Sequence, residues 1–204
     1  AVLSGSQENM ARVIRERPDL IPVTDETGNS PLHWCVLTRR LDLVPYFLEL
    51  GLDIDARRMD GRSPLDLAMD FVPGHGHGTW FHPYAFDMPV GVPSDRWPVV
   101  QQLLGHGAEY TLAAAAGRGD VGRGAEILEQ NPLSASELDR AHRSPLACAA
   151  AEGHADIVAL LLHHGANPNK PEMNAPRGAA LFMASAGNHV STARILLEAG
   201  ADPN

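Results

Sequence analysis

Three histidines lie close together in a stretch of the sequence that is rich in glycine and proline. His75, His77 and His82 fall between Val72 and Ser94, and Asp87 follows them. Imidazole suits zinc, copper or nickel, and a carboxylate is a plausible fourth ligand. Flanking glycines leave these side chains loosely positioned, however, and no cysteine accompanies them. The pattern permits a metal-binding protein that uses residues 72–94, but it favours a loop that contacts a partner protein or packs on the chain.

The same segment contains a large share of the aromatic side chains. Four of the eleven aromatic residues lie in it, among them Trp80, Phe81 and Tyr84. A loop of this length without secondary structure is usually functional or disordered, and aromatic residues are scarce in disordered chains. We therefore expect the segment to pack against helices, and we expect Trp80, Phe81 and Tyr84 to contact a partner.

Catalytic chemistry has little support in the sequence. There is no phosphate-binding glycine loop and no G-x-S-x-G nucleophile motif. The two cysteines, Cys35 and Cys148, fall in apolar helical stretches without an adjacent base. We expect no enzyme activity and no cofactor.

The clearest structural elements run from Ser144 to Gly165. Ser144 followed by Pro145 is typical of a helix start, because the hydroxyl caps free N–H groups and proline needs no donor there. Gly153 supplies the left-handed residue that ends the first helix. A second apolar run, with Asp156 in its first turn, ends at Gly165. Two short helices cannot bury their apolar faces alone, so the pair must stack on copies of itself.

Copies of this helix pair recur along the chain. The same 21 positions separate the start and end of three further copies: Ser30 to Gly51, Tyr110 to Asn131 and Ala179 to Gly200. A fifth copy, from Ser63 to Gly107, spans 44 positions because residues 72–94 add 23 between its helices. We expect Asn131 to adopt the left-handed conformation that glycine adopts at the other closing positions.

The copies resemble ankyrin repeats. They share a T-P-L-H-type helix start and a period of about 33 residues, and the matching stretches are Gly28–His33, Gly61–Leu65, Ser144–Leu146, Leu162–Asn169 and Leu196–Asn204. The resemblance implies an all-α, ankyrin-type helical repeat solenoid in which short hairpin fingers precede the inner helices. It also implies a protein-binding role, while a repeat scaffold leaves the partner open.

The predicted organisation is a single repeat domain over residues 1–204. The predicted parts are a partial leading repeat (1–24, with a helix at 10–16), repeat 1 (25–56), repeat 2 (57–109, with the insert 72–94), repeat 3 (110–138, lacking a finger), repeat 4 (139–169) and repeat 5 (170–204). Gly122 and Gly124 weaken the second helix of repeat 3, because glycine costs about 1 kcal/mol in a helix interior.

Two features predict where a partner binds. One inner-helix position forms an apolar ladder through the repeats, which we expect to be exposed: Trp34, Leu67, Ala114, Cys148 and Met183. The fingers form a basic edge on an acidic chain: Arg57, Arg58, Arg62, Arg140, Arg143, Lys170 and Arg177. Leu37 and Met59 are further candidate contacts, and His142 replaces a turn glycine, so we expect its finger to be distorted. A basic edge on an acidic chain steers an acidic partner toward that edge.

Composition narrows the remaining possibilities. The net charge is −9, with Lys170 as the one lysine, which disfavours nucleic-acid binding. No apolar run reaches the roughly 18 residues of a membrane span. The two cysteines lie three repeats apart, beyond the roughly 7 Å reach of a disulfide, so we expect free thiols. Free thiols favour a cytoplasmic protein, and export stays open as the alternative. The lysine-poor composition suggests a bacterial source, and bacterial relatives of this size include inhibitors, immunity proteins and effectors.

Overall fold

The computed structural model describes residues 16–17, 23–70, 97–140, 142–172, 175 and 178–203. All regular elements in these ranges are helical, and the sole strand-like contact among them is one isolated bridge between Glu172 and Ala175. The predicted leading helix, apart from Glu16, and the predicted insert 72–94 lie outside the described residues. The all-α repeat architecture is confirmed.

The chain divides into two compact units, Ala1–Glu109 (unit 1) and Tyr110–Asn204 (unit 2). This boundary lies where the sequence places the junction between repeats 2 and 3. The individual repeat bounds stay predictions.

Unit 1 contains four described α-helices. They are α1 (Pro31–Thr38), α2 (Val44–Glu49), α3 (Pro64–Asp70) and α4 (Trp97–Gly105), and a short 3-10 helix, Leu41–Leu43, leads into α2. Pro31 and Pro45 lie in the first turns of α1 and α2, where a missing N–H costs nothing. The inner helices α1 and α3 pack together, and α4 packs on α3.

The described residues of unit 2 contain six α-helices in three consecutive pairs. They are α5 (Leu112–Arg118), α6 (Val121–Gln130), α7 (Pro145–Glu152), α8 (Ala155–His163), α9 (Ala180–Ala186) and α10 (Val190–Glu198). The inner helix α7 packs between α5 and α9, and the outer helix α8 contacts α6 and α10. Leu128, Leu146, Ile157, Leu161 and Leu196 are fully or almost fully buried between the two layers.

Glycine closes the helices as the sequence predicts, with one exception. Gly153 and Gly165 have φ values of 74° and 82°, in the left-handed region. Asn131 does not follow them, because its φ is −142° and its ψ is 87°. Pro132 comes next and disfavours helical conformations in the residue before it. The chain therefore leaves α6 in an extended conformation and enters a 3-10 helix, Pro132–Ser136.

Repeat 3 begins one residue later than its spacing predicts. Thr111, not Tyr110, is the N-cap of α5, and its hydroxyl accepts a hydrogen bond from the Ala114 amide at 3.2 Å. The Tyr110 hydroxyl donates to Asp120, the N-cap of α6, at 3.0 Å. Burial and this contact raise the pKa of Tyr110 to about 12. The inner helix is consequently shorter than α7 by one residue.

None of the described helices is long and apolar enough to span a membrane.

Candidate protein-binding surface

Three fingers precede the inner helices α1, α3 and α7, and all three have the same turn. The first and fifth residues of each turn are joined by a backbone hydrogen bond: Asp25 to Asn29 at 3.2 Å, Arg58 to Arg62 at 2.9 Å and Asp139 to Arg143 at 2.9 Å. The fourth residue has a positive φ, which is 84° at Gly28, 81° at Gly61 and 59° at His142. The prediction that His142 distorts its finger is therefore wrong, because the histidine adopts the left-handed conformation itself.

The first finger is held by the side chain of Asp25. One of its carboxylate oxygens accepts from the Thr27 and Asn29 amides, each at 2.9 Å. The other accepts from Asn29 Nδ2 at 2.9 Å and from Trp34 Nε1 at 3.0 Å. Partial burial raises the pKa of Asp25, but the hydrogen bonds from Asn29 and Thr27 outweigh it and lower the pKa to about 2. The indole N–H of Trp34 is thus used within its own repeat.

The arginines of the second finger face inward, in contrast to the predicted basic edge. Arg57 forms ion pairs with Asp66 at 2.8 Å and with Glu109 at 2.9 Å. The Arg58 side chain is 3% exposed and lies 3.4 Å from Asp60, and Arg62 is buried. For Arg57 the physical reason is Asp66, a buried carboxylate at the start of α3 that needs a counter-charge. The assignment of Arg62 to an open binding edge is therefore corrected.

The finger of residues 139–143 is different, because part of its positive charge is open to solvent. Arg143 pairs with Asp139 at 2.7 Å, whereas Arg140 and His142 are exposed. Lys170, at the start of the next finger, is partly exposed. Arg177 lies outside the described residues.

The apolar ladder is not continuously exposed. Leu67 is 8% exposed, because α3 is covered by α1 and α4, and Leu37 is also buried. Ala114 is buried because α5 packs on α6 and α7. These three residues are corrections to the predicted ladder or contact set. Trp34, Cys148 and Met183 are partly buried.

Two large apolar side chains near the fingers are well exposed. Met59, at the tip of the second finger, is 80% exposed, and Phe182, in the first turn of α9, is 54% exposed. The sequence pattern predicts Met59 as a contact but gives no signal for Phe182. Phe182 lies three residues after the helix cap, where other repeats hold the buried residues His33, Asp66 and Ala147.

The candidate metal ligands His75, His77 and His82 lie outside the described residues, as do Trp80, Phe81 and Tyr84. Within the part of the chain that the structure describes, no group of three or more His, Cys, Asp or Glu side chains could hold a metal ion. Both cysteines are free. Burial raises the pKa of Cys35 to about 12, so its thiol is a poor nucleophile.

Two family models match the chain. A model of ankyrin repeats in three copies matches residues 94–204, and a model of a single ankyrin repeat matches residues 27–56. Together they account for most of the residues that the repeat pattern covers.

Similar proteins include three from Mus musculus. Rabankyrin-5 is 25% identical over 177 residues, which are 79% of this chain and 15% of that protein. Protein phosphatase 1 regulatory subunit 27 is 40% identical over 67 residues, 33% of this chain and 43% of that protein. Palmitoyltransferase ZDHHC13 is 35% identical over 57 residues, 28% of this chain and 9% of that protein. The matched region is less than half the length of each of these relatives.

A solved structure is similar over nearly the whole chain. It is that of a predatory endopeptidase from Bdellovibrio bacteriovorus in complex with an immunity protein, and the matched chain gives a TM-score of 0.56 at 18% identity. The match covers 97% of this chain and 95% of that chain. At this identity the likeness concerns the fold alone.

Proposed function

The chain belongs to the ankyrin-repeat family, and from this premise we propose that it is a non-enzymatic module that binds a partner protein through one surface of unit 2. We call this the finger surface, and we define it by Arg140, His142, Lys170, Phe182 and Met183. The partner presents acidic and apolar side chains.

The observation that supports this choice is the contrast in solvent exposure between the finger arginines of the two units. In unit 1 the finger arginines Arg57 and Arg58 neutralise carboxylates of the same unit. In unit 2, Arg140 is exposed, and Phe182 in the next repeat is exposed as well. Arginine and large apolar side chains are enriched in protein interfaces, so unit 2 offers the better-suited surface.

The finer proposal is an inhibitor or immunity-type role in a bacterium, in which the chain blocks a toxin or a hydrolase by binding it. The motivation is the bacterial composition, and the similar solved structure contains an immunity protein bound to an endopeptidase. The fold likeness is compatible with this role without selecting it.

A pull-down with matched variants tests the finger surface. The immobilised chain is used to recover a partner from a lysate of its source, and the partner is identified by mass spectrometry. Phe182→Asp is expected to weaken the affinity for that partner by about 30-fold or more, the range of an interface hot spot. Arg140→Glu is expected to slow association in low salt, because an acidic partner is then repelled.

The controls are equivalent changes outside the finger surface. Leu133→Asp alters an exposed apolar side chain on the 3-10 helix after α6, and Arg194→Glu reverses an exposed charge on the outer helix α10. Both are expected to leave recovery unchanged. Recovery that survives Phe182→Asp and Arg140→Glu but is lost in the controls would refute the proposed surface.

A further inference from the structure

In unit 1 a buried histidine connects the start of one inner helix to the next finger. His33 Nδ1 accepts from the Ser30 amide at 3.1 Å and lies 2.8 Å from Ser30 Oγ, at the cap of α1. Its Nε2 lies 3.1 Å from the carbonyl oxygen of Arg62, in the finger of residues 58–62. Since Nδ1 accepts, the ring is the neutral tautomer with its proton on Nε2. The imidazole therefore fixes a finger to the preceding repeat.

In unit 2 the corresponding connection is made by a carboxyl group. The third residue after the cap of α7 is Ala147, which has no polar side chain. Instead, Ser144 Oγ donates to Oε1 of Glu172, which belongs to the next finger, at 2.7 Å. The same Ser144 oxygen accepts from the Ala147 amide at 3.0 Å. Glu172 thus replaces the histidine as the group that fixes a finger to the cap of the preceding helix.

The surroundings of Glu172 disfavour its negative charge. Burial raises its pKa, the hydrogen bond from Ser144 lowers it, the carboxylate of Asp139 raises it and the guanidinium of Arg143 lowers it. The net pKa of Glu172 is above its usual range. Among the described residues, the charged groups that act on Glu172 are Asp139 and Arg143, and both belong to the finger that precedes α7. Because these two form an ion pair with each other, Arg143 compensates Glu172 only in part.

We propose that the contact between Glu172 and Ser144 is a pH-sensitive connection, which holds the finger that contains Glu172, Ala175 and Gly178 when the carboxyl group is protonated and loosens it when the group is ionised. A hydrogen bond to Ser144 is available in both states, because a protonated carboxyl can donate as well as accept. Ionisation adds the cost of burying a charge beside Asp139. The connection is independent of the proposed binding partner, although Lys170 of the finger surface lies at the start of the same finger.

The sign of the effect follows from linkage. A group whose pKa is raised in the folded state contributes stability at a pH below its unfolded pKa, and that stability is lost as the pH rises through the folded pKa. The finger in unit 2 is therefore expected to be held most tightly below about pH 4.5 and to loosen above it. For each unit by which the pKa of Glu172 is raised, the equilibrium between the held and the loosened finger favours the held state about tenfold more at low pH than at high pH.

Unit 1 supplies an internal control. Burial lowers the pKa of His33 to about 4, so its ring stays neutral above about pH 5. When the finger of residues 58–62 opens, the ring regains its usual pKa of about 6.5. By the same linkage, the attachment of that finger is therefore expected to strengthen between about pH 4 and about pH 6.5 and to stay constant above it, opposite in sign to the change expected for the finger that contains Glu172.

Amide hydrogen exchange on the full chain tests the proposal. The reporters are the amides of Ala175 and Gly178, which donate to Glu172 O at 3.1 Å and to Ala175 O at 3.0 Å, and the control is the amide of Gly61. Between about pH 4 and about pH 8, the protection factors of the reporters, corrected for intrinsic exchange, are expected to fall in the wild type by up to about tenfold per unit of raised pKa. Glu172→Gln is expected to remove this fall, and Gly61 is expected to show none.

An NMR titration of the wild type tests the same contact if Glu172→Gln does not fold. The side-chain carboxyl carbon of Glu172 is titrated by NMR in the wild type, with the exposed Glu198 as the reference. A midpoint above that of Glu198 supports the proposal. A midpoint at or below it overturns the proposal, as does the same loss of protection in Glu172→Gln as in the wild type.

Discussion

At the residue scale, two histidine rings in unit 2 lie directly against glycines that end inner helices. His154 lies against Gly119, where a Cβ atom would be 2.7 Å from the imidazole Nδ1. His189 lies against Gly153 in the same way, and its Nε2 is 3.0 Å from the carbonyl oxygen of Ala151. Glycine is therefore favoured at both positions for two reasons: φ is positive, and the neighbouring imidazole ring leaves no room for a Cβ atom.

Alanine substitutions at Gly119 and Gly165 distinguish the cost of a positive φ from the cost of displacing the ring. Gly165→Ala is expected to lower the free energy of unfolding by about 1 kcal/mol, because φ is 82° but no atom lies within 4 Å of the new Cβ. Gly119→Ala is expected to lower it by at least about 1 kcal/mol more, because His154 must move. Urea denaturation measures both, and equal losses would show that the ring contact contributes nothing.

The sequence predicts such positions better than it predicts side-chain pairing. The left-handed glycines follow from local pattern, and Gly153 and Gly165 are confirmed. The inward orientation of Arg57 does not follow, because it depends on partners 9 and 52 residues away, Asp66 and Glu109. Charge along a sequence gives no indication of which cations a fold will neutralise.

At the scale of elements, the outer helix α6 forms despite two glycines. Gly122 is exposed, and a Cβ there would meet only Asp120, at 3.8 Å. Gly124 is buried, and a Cβ there would lie 3.0 Å from Cδ1 of Ile157 in α8. The second glycine therefore permits a close approach of two outer helices, a role that helix propensity alone does not reveal.

The two glycines of α6 are expected to respond differently to alanine. Gly122→Ala is expected to raise the free energy of unfolding by about 0.5–1 kcal/mol, because alanine restricts the unfolded chain and favours the helix. Gly124→Ala is expected to raise the free energy of unfolding by less than Gly122→Ala does, or to lower it, because the fully buried Ile157 has little room to move. Thermal unfolding of both variants tests this, and an equal gain at both sites would argue against close packing between α6 and α8.

At the scale of the whole molecule, the chain has a net charge of −9, and within unit 2 the exposed charges are unevenly distributed. The outer helices expose Glu126, Glu129, Asp156 and Glu198, while Arg140 and Lys170 lie on the finger side. This polarity was predictable from the repeat register, as was the fold, because both follow from periodicity. The exposure of Phe182 and the burial of Leu67 were not, because they depend on what covers each inner helix.

Hydrogen exchange of the full chain, free and bound to its partner, tests whether unit 2 binds through the finger surface. We predict new protection in the described finger residues 139–140, 142–143 and 170–172 and in the first turn of α9, where Phe182 lies. No change is expected in the outer helices α6, α8 and α10. New protection confined to those outer helices, with none at the fingers, would contradict the assignment of the binding surface.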